Sequence, residues 1–427
     1  MEVLSIRDNR AGVRRTTFAT LIGTVLEQYD MVIYIHLIPV IAPLCFAPST
    51  DGGQSILLQG FFSFAMGYLL RPIGGILFGH LGDRFGRKRA LLVAIGCMSV
   101  PTFIIGALPS HAQIGVLSGV ILYLARGVQS LSVVGELASS AIITVENAPL
   151  SRKNFFSCLW SASFFMGGVL GGVSGWFFTQ SFMPSWSWRL AFFLGAFIAV
   201  VGLYIRVKAV ETAEFQLLVE QKKLLRLPVM ETLKKDWVSH LCYIGMISSV
   251  VAVYTYMVVV GPGIMRKNFH FSVHATLEVT TLATLVTVLS ILIFGFIADL
   301  IGRKKVFVFG LFLISVFITL AFRESELGSL KSFLTFHFLA AFGVGVLNST
   351  YALLSKSMYL TERRCSGSSF AEGLGAAIFA GAAPFAFAFL RVKTESAWGP
   401  SLYIYLCAFL AMVGVYFAPN FLKSESS

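Results

Sequence analysis

Long apolar runs are the feature that most constrains how this chain can fold. The chain of 427 residues is 56% hydrophobic and only 13% charged, whereas soluble domains carry about 25% charged residues. A bilayer core about 30 Å thick needs about 20 apolar residues in each helix that crosses it. Runs of that length predict twelve spans, with approximate limits 16–44, 54–80, 89–109, 113–147, 154–181, 188–208, 238–263, 272–298, 304–322, 329–357, 366–391 and 398–421.

A short charged stretch occurs twice, between the second and third spans and again between the eighth and ninth. Gly79–Arg89 reads GHLGDRFGRKR, and Gly295–Lys305 reads GFIADLIGRKK. The copies match at the glycine, aspartate and Gly-Arg-Lys positions without a gap, and they lie about half a chain apart. A repeat of that length indicates a duplicated half-molecule, as in transporters built from two parallel repeats. We therefore predict an all-α membrane protein of two pseudo-symmetric six-helix bundles, 1–208 and 238–427, joined by a linker at 209–237.

The lysines and arginines are distributed unequally between the two ends of the predicted spans. The net charge of +12 could suggest nucleic acid, but the bases fall between spans rather than on one soluble face, so no such partner is expected. Most of the 33 bases lie on the side that holds the N-terminus and the linker, and cytoplasmic loops carry an excess of this kind. We predict a multi-pass protein of the cell (inner) membrane, monomeric, with the lipid bilayer around it and both termini in the cytoplasm.

Nothing in the sequence indicates a metal or a cofactor. The six cysteines are scattered, without a C-x-x-C pair or histidines at ligand spacing, so neither a zinc site nor a disulfide framework is predicted. His270 and His274 have a spacing of four residues but lack a third ligand.

Charged residues inside the spans are the candidates for function, because a charge at the centre of a span costs roughly 2.5–3.5 kcal/mol on insertion scales. In the first span, Glu27, Asp30 and Tyr34 stand at i, i+3 and i+7 and share one helix face. Two carboxylates one turn apart repel when both are ionised, so one should hold its proton more tightly. We predict that Glu27, Asp30 and Glu136 are the proton-coupling residues. For Glu27 and Asp30, the alternative is a static ion pair with an arginine of a neighbouring helix.

Two arginines lie well inside predicted spans and must meet a carboxylate, a substrate or water. Arg71 precedes a proline in the second span, and Arg126 lies near the midplane of the fourth. For Arg71, a contact with an anionic substrate and a structural ion pair with Glu27 or Asp30 are both open. The predicted substrate contacts are Tyr34, Arg71, Arg126, Gln129, Asn348 and Glu372.

With these residues in view, the chain resembles the major facilitator superfamily. The repeated charged stretch resembles the signature loop of that superfamily, and Arg126–Gln129 resembles its helix-four arginine motif. Glu27–Asp30, Arg71–Gly75, Ser187–Phe192 and Glu211–Phe215 resemble the metabolite:proton symporter family, which includes proline/betaine, α-ketoglutarate, citrate and shikimate carriers. The resemblance implies proton-coupled uptake of a small polar metabolite, such as an organic acid, an amino acid or betaine, by alternating access.

The resemblance also implies that the first copy of the repeated stretch is part of an inner gate, which latches the two halves when the substrate site faces outward. The residues predicted to take part in gating are Gly79, Asp83, Arg84, Gly86, Arg87, Lys88, Asp299 and Arg303. Gly86 and Gly302 are expected to permit a tight turn. Because Arg84 corresponds to Leu300 in the second copy, the first copy is expected to matter more.

The chain departs from the family pattern at three positions. Gln28 replaces an aromatic residue, Val134 replaces a glycine, and Ala371-Glu372 replaces a Tyr-Asn pair, so substrate contacts there can differ.

Three other functions are alternatives to proton-coupled uptake. A proton-coupled exporter or antiporter is the alternative within transport, although Gly167–Gly175 lacks the proline of the drug antiporters. A membrane enzyme would need a nucleophile–base or metal constellation, and none can be recognised, so no enzyme is predicted. A sensor would be expected to carry a large cytoplasmic domain.

Overall fold

The computed structural model describes residues 10–47, 54–207 and 210–419, and this part of the chain is helical, with no strand in it. Twelve long helices carry the fold. They are α1 Arg10–Cys45, α2 Gln54–Phe85, α3 Arg87–Ala107, α4 Leu117–Glu146, α5 Lys153–Phe178, α6 Trp188–Val207, α7 Trp237–Asn268, α8 Val273–Ile301, α9 Arg303–Leu327, α10 Leu330–Lys356, α11 Thr361–Thr394 and α12 Ser401–Phe417. Single π-helical turns interrupt α7 at Tyr256–Val260 and α11 at Ala376–Ala380.

These helices correspond to the twelve predicted spans. Ten of them are long and apolar enough to cross a bilayer, within the described residues. The 32-residue helix α2 and the apolar, 17-residue helix α12 complete the set. The chain is therefore a multi-pass membrane protein, as its apolar runs predict.

Each copy of the repeated stretch is almost entirely helical, rather than a loop of eleven residues. A single glycine separates the helices: Gly86 lies between α2 and α3, and Gly302 between α8 and α9. Their φ angles are 112° and 98°, a region that residues with a Cβ rarely adopt. The glycines therefore supply the sharp change of direction, and the other repeated residues extend the helices to it.

Helix packing divides the molecule into the two predicted six-helix bundles. In the first bundle α1 packs on α5 and α6, α2 on α4, and α3 on α4 and α6; in the second, α7 packs on α12 and α11, and α10 on both α8 and α9. Two lines of contact join the bundles, α2 along α11 and α5 along α8 and α10. The prediction of an all-α protein of two bundles is confirmed.

The first glycine of each repeated stretch lets helices of opposite bundles approach closely. A Cβ on Gly79 of α2 would lie 2.7 Å from the Cα of Ser366 on α11. The equivalent Gly295 of α8 lies against the sulfur of Cys158 on α5, and a Cβ there would collide with it. The repeat thus forms two equivalent helix crossings between the bundles, one for each copy.

A polar segment with two short helices, Ala213–Glu220 and Pro228–Lys235, connects α6 to α7. We call the end of the molecule that carries it the linker side, and the opposite end the far side. Arg84 donates from Nη1 to the carbonyl oxygen of Arg226 at 3.0 Å, and Arg363 forms an ion pair with Asp236. The segment is thus tied to both bundles. The division of the chain into domains at 209–237 stays a prediction.

Candidate functional site

Asp30 of α1 is the centre of a hydrogen-bonded cluster inside the first bundle. Thr102 Oγ1 donates to Asp30 Oδ1, and Gln129 Nε2 donates to Asp30 Oδ2, both at 2.7 Å. Arg126 Nη1 lies 3.8 Å from the same carboxylate and donates to Gln129 Oε1 at 2.8 Å. The Arg126 guanidinium also lies 4.0 Å from the centroid of the Tyr34 ring. The structure thus brings four predicted site residues together and adds Thr102 of α3.

Arg71 of α2 lies beside this cluster without a carboxylate partner. It is 9% exposed, and none of the described carboxylates forms an ion pair with it within 4.0 Å. Its guanidinium lies 4.0 Å from the centroid of the Tyr68 ring and 3.8 Å from the Met31 sulfur, and its Nε is buried without a hydrogen-bond partner. Arg71, Asp30 and Arg126 line one cavity with an empty volume of about 290 Å³. A buried cation without an ion pair among the described residues therefore faces this space.

Glu27, one turn before Asp30, is also buried and unpaired. It is 6% exposed, and neither carboxylate oxygen has a hydrogen-bond partner among the described residues. It lines a second cavity, with an empty volume of about 320 Å³, between α1, α3, α4 and α6, together with Asp30 and Glu136. The three predicted proton-coupling residues therefore border the same space, although their partners differ.

Glu136 of α4 is held by an arginine near the end of α6, close to the start of the linker. Arg206 of α6 contacts both of its carboxylate oxygens, with Nη1 at 2.9 Å from Oε2, and both side chains are 2% exposed. Arg206 also donates to the carbonyl oxygens of Ala19 and Thr20. Because both oxygens are occupied, Glu136 has the geometry of a static ion pair, an arrangement that the sequence offered as an alternative only for Glu27 and Asp30.

The predicted contacts of the second bundle lie apart from these cavities. Glu372 of α11 accepts hydrogen bonds from Lys356 Nζ at 2.8 Å and from the Tyr243 hydroxyl at 2.7 Å. Lys356, at the end of α10, is fully buried. Asn348 donates to the carbonyl oxygen of Val344 in its own helix. Neither Asn348 nor Glu372 lines the cavities around Arg71 and Glu27.

Asp83 fastens the two bundles together at the linker side. Its carboxylate accepts hydrogen bonds from the backbone amides of Cys365 at 3.1 Å and Ser366 at 2.7 Å, in the first turn of the α-helical part of α11. These amides have no partner within their own helix, and the helix dipole favours a negative charge there. Arg87 forms an ion pair with Asp83 at 3.4 Å and donates to the carbonyl oxygen of Thr361 at 2.6 Å. Asp83 and Arg87 are fully buried.

Asp299, in the second copy of the repeat, makes the reciprocal contact. Its carboxylate accepts from the backbone amides of Asn154 and Phe155 at the start of α5, both at 2.9 Å. Each bundle thus caps a helix of the other bundle with an aspartate. The copies differ, because Arg303 makes no ion pair with Asp299 in the described structure, whereas Arg87 pairs with Asp83.

Other contacts support the closed linker side. Glu146, the last residue of α4, forms an ion pair with Arg364 of α11 at 2.9 Å, and both are 1% exposed. The Lys88 side chain donates to the carbonyl oxygen of Val207 at 2.8 Å, and its backbone amide donates to Glu211. Burial raises the pKa of the Glu211 carboxyl, and hydrogen bonds from the backbone amides of residues 212 and 88 oppose that rise. Residues of the first copy that are predicted to take part in gating therefore contact both α11 and the linker.

Sequence reasoning missed several residues that the structure places at these sites. Arg206, Lys356 and Arg364 lie near helix ends, where their charges indicate a cytoplasmic flank rather than a buried ion pair. Thr102 is a neutral residue with no signal of its own. Gln28, noted as a departure from the family pattern, donates from Nε2 to the hydroxyl of Tyr254 on α7 at 2.6 Å and so joins the two bundles.

Two packed helical bundles in a multi-pass membrane protein, with buried charged cavities inside the first bundle, are the architecture of a membrane transporter. The family model described as sugar (and other) transporter matches residues 16–236, and the model of the major facilitator superfamily matches residues 242–426. The inner membrane metabolite transport protein YhjE of Escherichia coli (strain K12) is 31% identical over 394 residues, which cover 88% of this chain and 87% of that protein. A putative proline/betaine transporter of Staphylococcus aureus (strain COL) is 29% identical, over 92% of this chain and 85% of its own.

Solved structures agree on the fold. The proton:xylose symporter XylE bound to 6-bromo-6-deoxy-D-glucose has a TM-score of 0.77 at 15% identity, with 97% of each chain covered. The human organic anion transporter MFSD10 (TETRAN) has a TM-score of 0.69 at 14% identity, over 95% of this chain and 99% of its own. The chain belongs to the major facilitator superfamily; it is a metabolite transporter and not an enzyme.

Proposed function

We propose that the protein is a proton-coupled symporter that imports a small metabolite bearing a carboxylate, such as an organic acid, an amino acid or betaine. The observation that carries this proposal is Arg71, a buried guanidinium that faces a cavity without a carboxylate partner. Burial of an unpaired charge is costly, and a bound carboxylate would compensate it with bidentate geometry. Arg126, already within 3.8 Å of Asp30, completes the positive side of the cavity.

Glu27 and Asp30 are the proposed proton carriers. An ionised carboxylate without a partner is expensive to bury, so a proton on Glu27 removes that cost. Asp30 accepts hydrogen bonds from two neutral donors and lies beside Arg126, so its protonation would free the guanidinium for the substrate. We assign Glu136, which Arg206 engages at both oxygens, to holding α4 against α6.

Alternating access would proceed through the contacts of Asp83 and Asp299. In the arrangement described, both aspartates cap helices of the opposite bundle and the linker side is closed. Opening toward that side requires the loss of both caps and of the Glu146–Arg364 ion pair. The excess of bases on the linker side supports a cytoplasmic location for that side and for both termini.

Uptake into proteoliposomes with an imposed proton gradient tests this function. Labelled proline, betaine and citrate would be offered with the gradient inward, absent and outward. We expect accumulation of at least one carboxylate only with the inward gradient, and its loss in Arg71→Gln. Uptake that ignores the gradient would refute symport, and accumulation driven by the outward gradient would indicate the exporter or antiporter instead.

A further inference from the structure

A second polar cavity lies at the far side, away from Arg71. It has an empty volume of about 560 Å³ between α1, α7 and α8, and its polar lining consists of His36, Arg266, Thr276 and Thr280. We call this cavity the far-side vestibule. The remaining lining residues are apolar or proline, so its chemistry depends on these four side chains.

The far-side vestibule carries a positive charge that no acidic residue of the described ranges balances from its lining. Arg266, in the last turn of α7, is exposed, and the described residues that line the cavity include no aspartate or glutamate. Arg266 is absent from the ion pairs found in the described residues. His36 lies within electrostatic range of Arg266, and its Nδ1 is buried without a hydrogen-bond partner. The exposed Arg266 guanidinium is thus available to an anionic group, with His36 beside it in the lining of the cavity.

The threonine hydroxyls offer a complementary function. Thr276 and Thr280 donate to carbonyl oxygens of their own helix, at 2.8 Å each, so their hydroxyl oxygens remain available as acceptors. A carboxylate beside Arg266 would leave an amino or hydroxyl group of the same molecule free to donate to these oxygens. The arrangement therefore fits a small molecule with a carboxylate at one end and a donor at the other.

The far-side vestibule is continuous with a deeper chamber. His36, Val258 and Thr280 line both cavities, and the deeper one has an empty volume of about 450 Å³. The residues that line this chamber in the described part of the chain include no aspartate, glutamate, lysine or arginine, and its polar lining includes Thr281, Thr284 and Thr287 on α8. Gln28 and Tyr254, hydrogen-bonded across the bundles, also line it. Gln28 lies between Glu27 and Asp30 in the sequence of α1, and those two carboxylates line the cavities described above.

We infer that the far-side vestibule is a recruitment site, in which Arg266, with His36 beside it, captures the carboxylate of the substrate before it passes the Gln28–Tyr254 contact. This inference rests on the proposed import of a carboxylate from the far side. A cationic cleft with low-dielectric walls raises the local concentration of an anion and accelerates its association. The site acts on capture and not on the later steps, so its loss should affect uptake at low substrate concentration.

The test measures initial uptake by intact cells that express wild type, Arg266→Gln, His36→Gln or Lys267→Gln. Lys267 is the matched control, because it is exposed beside Arg266 but does not line the cavity. At low ionic strength we expect kcat/KM to fall about tenfold in Arg266→Gln, at the lower end of the effects of steering by a charged cleft, with kcat retained. His36→Gln should show a smaller decrease in the same parameter, and Lys267→Gln none.

Salt and direction provide the decisive comparisons. High ionic strength should reduce the wild-type kcat/KM toward that of Arg266→Gln, and the maximal rate of efflux from cells preloaded to saturation should be equal in the two proteins. An equal loss in Lys267→Gln, a loss of the maximal efflux rate, or wild-type kinetics in Arg266→Gln would each overturn the recruitment site while leaving the symporter intact. Failure of wild type to import any carboxylate would refute both proposals.

Discussion

Asp83→Ala should open the linker side without destroying the substrate site. Asp83 accepts two backbone hydrogen bonds from α11 and pairs with Arg87. Hydrogen bonds to a charged group contribute about 1.5–3 kcal/mol each, so two at the lower end contribute about 3 kcal/mol. The variant should therefore shift the equilibrium between closed and open linker side by about 100-fold toward the open form, since each 1.4 kcal/mol is a factor of ten.

A thiol at the other crossing reports this shift. Cys158 of α5 is fully buried against Gly295 of α8, at the contact between bundles that Asp83 does not touch. In a chain whose other five cysteines are serine, maleimide supplied at the linker side should label Cys158 much faster in Asp83→Ala than in wild type. Cys365 would be a poorer reporter, because its amide contacts Asp83 directly and local loosening would expose it.

Three outcomes would refute the gate assignment. One is an unchanged labelling rate at Cys158, which would confine the effect of Asp83 to its own helix cap. Another is loss of substrate binding in parallel with loss of transport. The third is an equal shift in Glu231→Ala, the matched surface control, whose carboxylate contacts only Lys235 of the same short helix.

Further predictions concern the charged residues of the first bundle and the second copy of the repeat. Arg71→Gln should weaken substrate binding about 10- to 150-fold, because a charge-assisted hydrogen bond contributes about 1.5–3 kcal/mol; thermal shift with added substrate measures this, and unchanged binding would remove Arg71 from the site. Glu27→Gln should abolish proton-driven accumulation but retain exchange of labelled for unlabelled substrate, and retained accumulation would exclude Glu27. Among Arg71→Gln, Glu27→Gln and Glu136→Gln, the last should lower the thermal stability most, since removal of one member of a buried ion pair costs about 3–5 kcal/mol. A melting temperature equal to that of Glu27→Gln would contradict the structural role of Glu136. Asp299→Ala should impair transport less than Asp83→Ala, because Arg303 forms no ion pair with Asp299 in the described structure, whereas Arg87 pairs with Asp83. Uptake rates compare the two variants, and a larger defect in Asp299→Ala would contradict the greater importance of the first copy.

The amino-acid sequence predicts the membrane helices and the duplication because these depend on local features. A run of about 20 apolar residues must cross the bilayer wherever it lies, and its backbone must be helical. The repeated stretch likewise indicates two equivalent halves, because the repeat can be recognised from the sequence without any contact between helices. Its helical character was not apparent, because five charges between Gly79 and Arg89 resemble a loop although only Gly86 interrupts the helix.

Pairings between helices could not be predicted, because they depend on how each helix is rotated and on which helices are neighbours. Glu27, Asp30 and Glu136 look alike in sequence as acids inside apolar spans. The structure separates them: Arg206 engages Glu136, neutral donors hold Asp30, and Glu27 stays unpaired. Arg206 lies at the end of a span, where a base indicates a cytoplasmic flank. In the structure its side chain is buried inside the first bundle instead.

We propose that substrate and proton are transported together, with Arg71 binding the substrate and the carboxylates of α1 carrying the proton. This coupling can be measured as the internal pH of proteoliposomes, followed with a trapped pH-sensitive dye, when an imported carboxylate is added without a pre-existing proton gradient. We predict prompt internal acidification in wild type, none in Glu27→Gln, and much slower acidification in Arg71→Gln, in which the substrate binds more weakly. Uptake of the substrate by wild type without acidification would contradict proton symport. Unchanged acidification in Glu27→Gln would contradict the role of Glu27 as a proton carrier.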